Sequence, residues 1–156
     1  MATKRQAILD GLVTAIQAAN GVAPYVYNLS GTDVVSQAVE PRDTRLHFGV
    51  VSVRVQDSGE ARELRELNTW TNDALLDMRV SCLVKDNSND KLVKQLNMLL
   101  GDVTRAVGAS PTLGGTCVNA RIFSIDEPSY DAGEQKHGHA FVRVRASYTF
   151  DAAVEA

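Results

Sequence analysis

The chain has few of the features that nucleic-acid, membrane or exported proteins need. Its 156 residues carry 16 basic and 19 acidic side chains, mixed along the sequence, for a formal net charge of -3. Because binding to nucleic acid depends on clustered lysine and arginine, DNA reading is not expected. No apolar run approaches the ~20 residues of a membrane span, and the N-terminal segment has periodic apolar positions instead of a signal peptide's continuous run. We therefore expect a soluble protein that is not exported through a standard signal.

Cysteine is also scarce. Cys82 and Cys117 stand far apart, without CxxC spacing, and both lie in apolar alternating stretches. Such thiols are usually buried and reduced, which suits a reducing cytosol and argues against a disulfide framework. The hydrophobic share of 44% and charged share of 22% are typical of globular proteins. One domain is predicted over residues 1–156, with residues 151–156 as a frayed tail.

Motifs that would indicate catalysis are missing from the sequence. No G-x-S-x-G or H-E-x-x-H occurs, and the Gly-Gly pair of "GASPTLGGTC" lacks the lysine of a phosphate-binding loop. His137 and His139 could approach one metal ion, but Asp131 or Glu134 would have to supply a third ligand. We therefore predict no catalytic, metal or cofactor site, although residues distant in sequence can still form a site in space.

Two segments have the periodicity of amphipathic helices. A capping box precedes the first, and apolar residues then recur at helical intervals until an Asn-Gly pair, which predicts a helix over residues 4–19. The polar run "DNSND" can begin a second helix, with Asn87 or Ser88 as its cap, and apolar residues recur from there to Gly108. The odd-position acids of this run fail as a calcium loop, since glycine and glutamate are missing from the positions that require them.

The remaining apolar stretches alternate as strands do. We predict strands in "YVYNL" after Pro24, over residues 46–55, over residues 74–84, and in "CVNARIFSIDE" and "HAFVRVRASYTF". Residues 30–45 are predicted to form a long loop, and residues 56–73 to form either a hairpin extension or a short helix. The order α-β-loop-β-β-α-β-β predicts a single α+β domain, in which two amphipathic helices cover one face of a mostly antiparallel sheet.

The closing strand raises a question about its outer face. One face carries only apolar residues for a core, whereas the other carries Phe141, Arg143 and Arg145. The arginines could form cross-strand ion pairs with Asp126 and Glu127, or they could contact another subunit through bidentate bonds to carboxylates. The aromatic side chain beside them favours the subunit contact.

Over nearly the whole length of the chain, the order of these segments and their patterns of apolar and polar residues resemble the tail terminator (tail completion) proteins of tailed bacteriophages. The resemblance rests on the helix "RQAILDGLVTAIQAA", the run "PYVYNL", the polar loop, the strand "ALLDMRVSCLV", the helix "DKLVKQLNMLLGDVTRAV" and the final "FVRVRASYTF". It implies a small structural subunit without catalysis or cofactor. Six copies would form a ring that caps the tail tube, ends its polymerisation and presents a docking surface to the head connector.

The resemblance also implies where the protein acts and what it touches. Its place would be the tail-neck junction of a virion assembled in the bacterial host cytoplasm. Its partners would be itself, the tail tube protein, the head-tail connector protein and, as a further candidate, the sheath protein, with DNA passing through the ring lumen unread and no membrane involved.

A closed ring needs two different, complementary patches on each subunit. We expect one patch on the outer sheet face, the other in the charged run at residues 60–66, and the tube or connector contacts in the long loop and at residues 57–72. The candidate contact residues are Phe141, Arg143, Arg145, Arg62, Glu63, Arg65, Glu66, Trp70, Asp33, Arg42 and Arg45.

Three alternatives stay open at this point. The nearest is another phage neck protein, such as a head closure or head-tail joining component. The second is a small metal-dependent enzyme built on His137, His139 and Asp131, which stoichiometric zinc would support. The third is a nucleic-acid binder, which the net charge disfavours.

Overall fold

Two long antiparallel strands dominate the computed structural model of the chain. The structure describes residues 3–29, 34–36, 51–57, 64–66, 71–86, 88–131 and 137–151. The helices are α1 (Lys4–Gln17) and α2 (Asn89–Gly108), and the strands are β1 (Val34–Ser36), β2 (Val51–Asp57), β3 (Leu64–Glu66), β4 (Thr71–Lys85), β5 (Asn119–Ile125), β6 (Ser129–Asp131) and β7 (His137–Asp151).

All of these strands belong to one sheet. Its order is β1-β2-β4-β7-β5, with β3 paired to β4 and β6 paired to β7. Strands β4 and β7 pair antiparallel over 15 residues each, from Thr71 opposite Asp151 to Lys85 opposite His137. Only the β1–β2 pair is parallel among the described pairings. The predicted mostly antiparallel sheet is therefore confirmed.

Both helices cover the same face of this sheet. The inner faces of β4 and β7 alternate as predicted, and their apolar residues are buried together with the apolar stripes of α1 and α2 in one core. The most deeply buried large side chains include Ile8, Leu12, Leu76, Leu96 and Leu99. Full burial of one such side chain contributes about 1.5–3 kcal/mol, so this shared core holds the helices on the sheet. The fold is the predicted α+β domain.

The element boundaries differ from the predictions in several places. The helix predicted over residues 4–19 ends at Gln17, and α2 begins after Ser88 as predicted, although the Ser88 side chain makes no capping bond. The Asp86 carboxylate accepts the Ser88 backbone N–H at 3.0 Å instead. Between the predicted second and third strands lies β3, which pairs with β4, so Leu64–Glu66 form a strand, as the hairpin alternative predicted, while residues 58–63 and 67–70 lie outside the described residues.

The predicted strand "YVYNL" was wrong. Residues 21–27 form turns and bends, and this region makes only an isolated bridge between Asn20 and Asn28. Side-chain anchoring explains the difference, because the backbone N–H groups of Val26 and Tyr27 bond to the Asp102 carboxylate of α2 instead of to a neighbouring strand. No described helix is long and apolar enough to cross a membrane.

Candidate interaction surface

The sheet face opposite the helices carries two bidentate ion pairs. Arg143 donates from Nε and Nη2 to the two carboxylate oxygens of Asp126 at 3.2 and 3.3 Å. Arg145 donates in the same way to Asp77 at 2.8 and 3.2 Å. The ion pair predicted between strand arginines and Asp126 is thus confirmed for Arg143, and the partner of Arg145 is a different aspartate.

These two pairs differ in burial. The side chains of Arg143 and Asp126 are 32% and 33% exposed, whereas Asp77 is 9% exposed beneath Arg145 at 37%. Because both side chains of the Arg143–Asp126 pair are about one-third exposed, this ion pair contributes less than about 1 kcal/mol to stability. Removing Arg145 would take a bidentate charge-assisted contact from the nearly buried carboxylate of Asp77, which costs more than breaking the more exposed pair. Arg145 therefore has a structural role in joining β7 to β4.

Two phenylalanine rings lie against arginines on the same face. The Arg79 guanidinium carbon lies 4.6 Å from the centre of the Phe141 ring, and that of Arg145 lies 4.5 Å from the centre of the Phe123 ring. Phe123 is the additional residue of a bulge between Ile122 and Ser124, and it is 40% exposed. Arginine and aromatic side chains left accessible together are enriched in protein contact surfaces.

The register places arginines directly opposite one another. Arg79 of β4 is the cross-strand partner of Arg143 in β7, and Arg121 of β5 is the partner of Arg145. Directly opposed side chains on one face have Cβ atoms about 4.5–5.5 Å apart, and like charges in this arrangement are destabilising. We call Arg79, Arg121, Arg143 and Arg145 the arginine cluster.

The outer face is not accessible along its whole length. Towards the other end of the β4–β7 pair, Ser81, Leu83, Lys85 and His139 are buried. Exposure of the described side chains therefore varies along this face. The accessible part is the end that holds the arginine cluster with Phe123 and Phe141.

The structure describes only some of the predicted contact residues. The structure brings Phe141, Arg143 and Arg145 onto one accessible patch, and Arg65 and Glu66 belong to β3, where only the backbone is described. The other candidates lie outside the described residues, namely Asp33, Arg42, Arg45, Arg62, Glu63 and Trp70. Their proposed contacts stay predictions.

Sequence reasoning missed Asp77, Arg79 and Phe123. The same period-two pattern that identified the apolar row of β4 places Asp77 and Arg79 on its opposite face, so this signal was present. Phe123 could not be assigned in this way, because the bulge interrupts the alternation of β5.

The histidines do not meet further metal ligands in the part of the chain that the structure describes. The rings of His137 and His139 stack with centroids 6.3 Å apart, and no group of three or more His, Cys, Asp or Glu able to hold a metal occurs among the described residues. Glu134 lies outside those residues, and only the backbone of Asp131 is described.

A buried carboxylate fixes the segment that follows α1. Asp102 of α2 is 1% exposed and accepts the Tyr27 N–H at 2.7 Å and the Val26 N–H at 3.1 Å. The Tyr27 hydroxyl donates to the Gln95 carbonyl at 3.3 Å. Burial, followed by the charges of Asp102 and Asp86, raises the pKa of Tyr27. This tyrosine is therefore held as a neutral hydrogen-bond donor.

An open cleft of about 670 Å³ lies where α1 meets the loop after α2. Small side chains line most of it, including Ala7, Ala15 and Ala109, and its polar members are Asp10, Thr14, Tyr25, Ser110 and Thr116. Nothing in its lining indicates a particular ligand.

Burial keeps both cysteines in the thiol form. Burial raises the pKa of the Cys82 thiol to about 12, and partial burial raises that of Cys117. A thiol is nucleophilic as the thiolate, so neither cysteine has the environment of a catalytic nucleophile.

Comparison with known proteins adds no relative: no protein-family model matches the chain, and no curated protein matches it at a significant level.

Proposed function

We propose that the chain is a structural virion protein that forms a six-membered ring on the end of a phage tail tube, stops tube polymerisation and presents a docking surface to the head connector. The observation that carries this proposal is the accessible patch of Phe123, Phe141 and the arginine cluster on the sheet face that the helices leave uncovered. Its composition suits contact with another protein.

The element order supports the same role. The resemblance to tail terminator proteins implies a small α/β subunit, and the chain has helices and strands in one small domain with both helices on one face of the sheet. A subunit built in this way offers a sheet face and sheet edges for assembly while its core stays closed. In this proposal the partners are further copies of the chain, the tube protein and the connector protein, and the place is the tail-neck junction.

Electron microscopy of the purified protein, with and without tail tubes of the phage or prophage that encodes it, tests the proposal. We expect six-fold rings in the free sample or density capping one end of each tube, and native mass spectrometry should give the mass of six chains for the ring. Absence of both rings and caps at high protein concentration would refute the tail terminator role.

A matched pair of variants ties the result to the patch. Phe123→Ala shortens a side chain that is 40% exposed beside Arg145, whereas Val22→Ala shortens one that is 66% exposed after α1. We expect Phe123→Ala to weaken capping and Val22→Ala to leave it unchanged, with both variants melting close to the parent. Equal capping by the two variants would show that the patch is not the contact.

A further inference from the structure

The strand β5 ends the described sheet and exposes apolar side chains along its length. Among the described strands it pairs with β7 only. Val118 just before it is 63% exposed, and within it Phe123 and Ile125 are 40% and 49% exposed. Ile125 lies opposite buried Val142 of β7, so it is on the face that the helices cover, yet the helices do not reach it. An apolar edge strand of this kind is a template for pairing with another chain.

The bulge in β5 makes the two faces of this strand symmetric about its middle. Arg121 and Ser124 lie opposite outer-face residues of β7, whereas Ile122 and Ile125 lie opposite buried core-facing residues. The extra residue, Phe123, is also on the outer face, because its ring packs against an outer-face arginine. In both directions from the bond between Phe123 and Ser124, the first residue is therefore outer and the second is core-facing.

The same order continues to the third residue in each direction. On one side this residue is Arg121, which is exposed, and on the other it is Asp126, whose carboxylate bonds to Arg143 on the outer face. The outer face of β5 thus carries a positive charge at one end and a negative charge at the other. Such a strand is complementary to a reversed copy of itself.

We infer that β5 pairs antiparallel with β5 of a second copy of this chain, which gives the free protein a two-fold dimer with one continuous sheet. Opposed residues in an antiparallel pair lie on the same face. With the axis at the middle of β5, Ile122 of one copy opposes Ile125 of the other, and Arg121 opposes Asp126. Each pair occurs twice, and both apolar and opposite-charge pairs stabilise a sheet.

The backbone of β5 directs hydrogen-bonding groups to this contact. In an antiparallel ladder, alternate residues direct their N–H and C=O groups to opposite sides of the strand. The Asp126 N–H donates to the Phe141 carbonyl of β7 at 2.9 Å, so Ile125 directs its groups away from β7. The Ala120 N–H also points away from β7 and donates to the Pro111 carbonyl at 2.7 Å. The loop after α2 therefore covers the start of β5, and the contact lies over residues 121–126.

The dimer has a consequence for assembly. Phe123 lies at its centre and also belongs to the patch of the proposed function, so dimer formation covers part of that patch. A two-fold contact joins two copies and does not close into a ring, so the dimer has to separate before a subunit can cap a tube. This competition rests on the proposed function, whereas the dimer itself does not.

A matched pair of lysine variants tests the contact. Ile125→Lys places a charge opposite Ile122 of the second copy, and Val93→Lys makes the same kind of change on α2 at a side chain of similar exposure, 45% against 49%. Sedimentation of the free protein at rising concentration gives the dimer dissociation constant. We expect Ile125→Lys to raise this constant at least about tenfold and Val93→Lys to keep it within about twofold of the parent. Thermal unfolding checks that both variants fold.

Ser124→Cys tests where the axis lies. The new thiol would lie beside the axis and should form a disulfide with the same residue of the second copy under air oxidation. Val118→Cys lies towards one end of the contact and should stay monomeric in denaturing electrophoresis, as should the parent with its native Cys82 and Cys117. The cross-linked dimer should fail to cap tubes and should regain capping after reduction.

Other results would overturn the inference in distinguishable ways. A parent that stays monomeric at every concentration, or that goes directly to a six-membered ring, does not form this dimer, and the ring would still support the proposed function. A dimer that Ile125→Lys leaves intact is joined elsewhere. Capping by the cross-linked dimer would refute the competition. Failure of the parent to form rings or caps would refute the proposed function and leave the dimer standing.

Discussion

Replacing Asp102 by alanine should destabilise the domain strongly although this residue lies far from the outer sheet face. The carboxylate is 1% exposed and accepts two backbone N–H groups, those of Val26 and Tyr27. A hydrogen bond to a charged group contributes about 1.5–3 kcal/mol. Because Val26 is more than half exposed, water can solvate part of what is lost. We therefore expect a loss of about 2–4 kcal/mol, and about half of it for Asp102→Asn, which keeps one acceptor oxygen.

Urea unfolding followed by circular dichroism measures these differences, and Asp90→Ala is the matched control. Asp90 is an exposed acid in the first turn of the same helix, where its interaction with the helix dipole is worth about 0.3–1 kcal/mol. Amide hydrogen exchange adds a local readout, since the amides of Val26 and Tyr27 should lose protection in Asp102→Ala. A loss no larger than that of the control, with both amides still protected, would refute the anchoring role.

Two further predictions concern single positions. Gly11→Ala should destabilise the domain by about 1–3 kcal/mol, because the new Cβ would lie 2.6 Å from the Leu113 carbonyl oxygen. The new Cβ of Gly101→Ala would meet no atom within 4 Å, so this variant should stabilise α2 by about 0.5–1 kcal/mol. Cys82 should make stability fall above about pH 8.5, because the unfolded thiol then ionises while the buried one, with its pKa of about 12, keeps its proton.

Unfolding experiments check both. Equal free energies of unfolding for the two glycine variants would contradict the close approach of α1 to the loop after α2. For the thiol, the slope of stability against pH between about 9 and 12 should be less negative in Cys82→Ala than in the parent, by up to about 1.4 kcal/mol per pH unit. Parallel slopes would mean that Cys82 is not buried as described.

The fold could be predicted largely because its core follows simple periods. The apolar rows of β4 and β7, and the stripe of α2, each repeat without interruption, so the buried residues were identified by spacing alone. The strand prediction after Pro24 failed for a specific reason. The β-prone residues there are held by the side chain of Asp102, which lies on α2, 75 residues from Tyr27 along the chain. No local pattern reports such a bond.

The candidate surface was predictable only in part. Alternation placed Phe141, Arg143 and Arg145 together, but alternation within one strand contains no information on register. The pairing of Arg79 with Arg143, and of Arg121 with Arg145, appears only once β4, β5 and β7 are aligned. The bulge that exposes Phe123 is likewise a property of two strands and not of one.

The position of β7 has a consequence for how the protein is made. It is the last strand of the described chain, yet it lies between β4 and β5 and pairs with both. During synthesis, β4 and β5 therefore leave the ribosome with their pairing edges open, and the sheet can close only when β7 follows. Long-range pairing of this kind folds slowly, which leaves time for unwanted association. We therefore expect deletion of β7 to abolish folding of the whole domain, and not merely to remove one edge strand of the sheet.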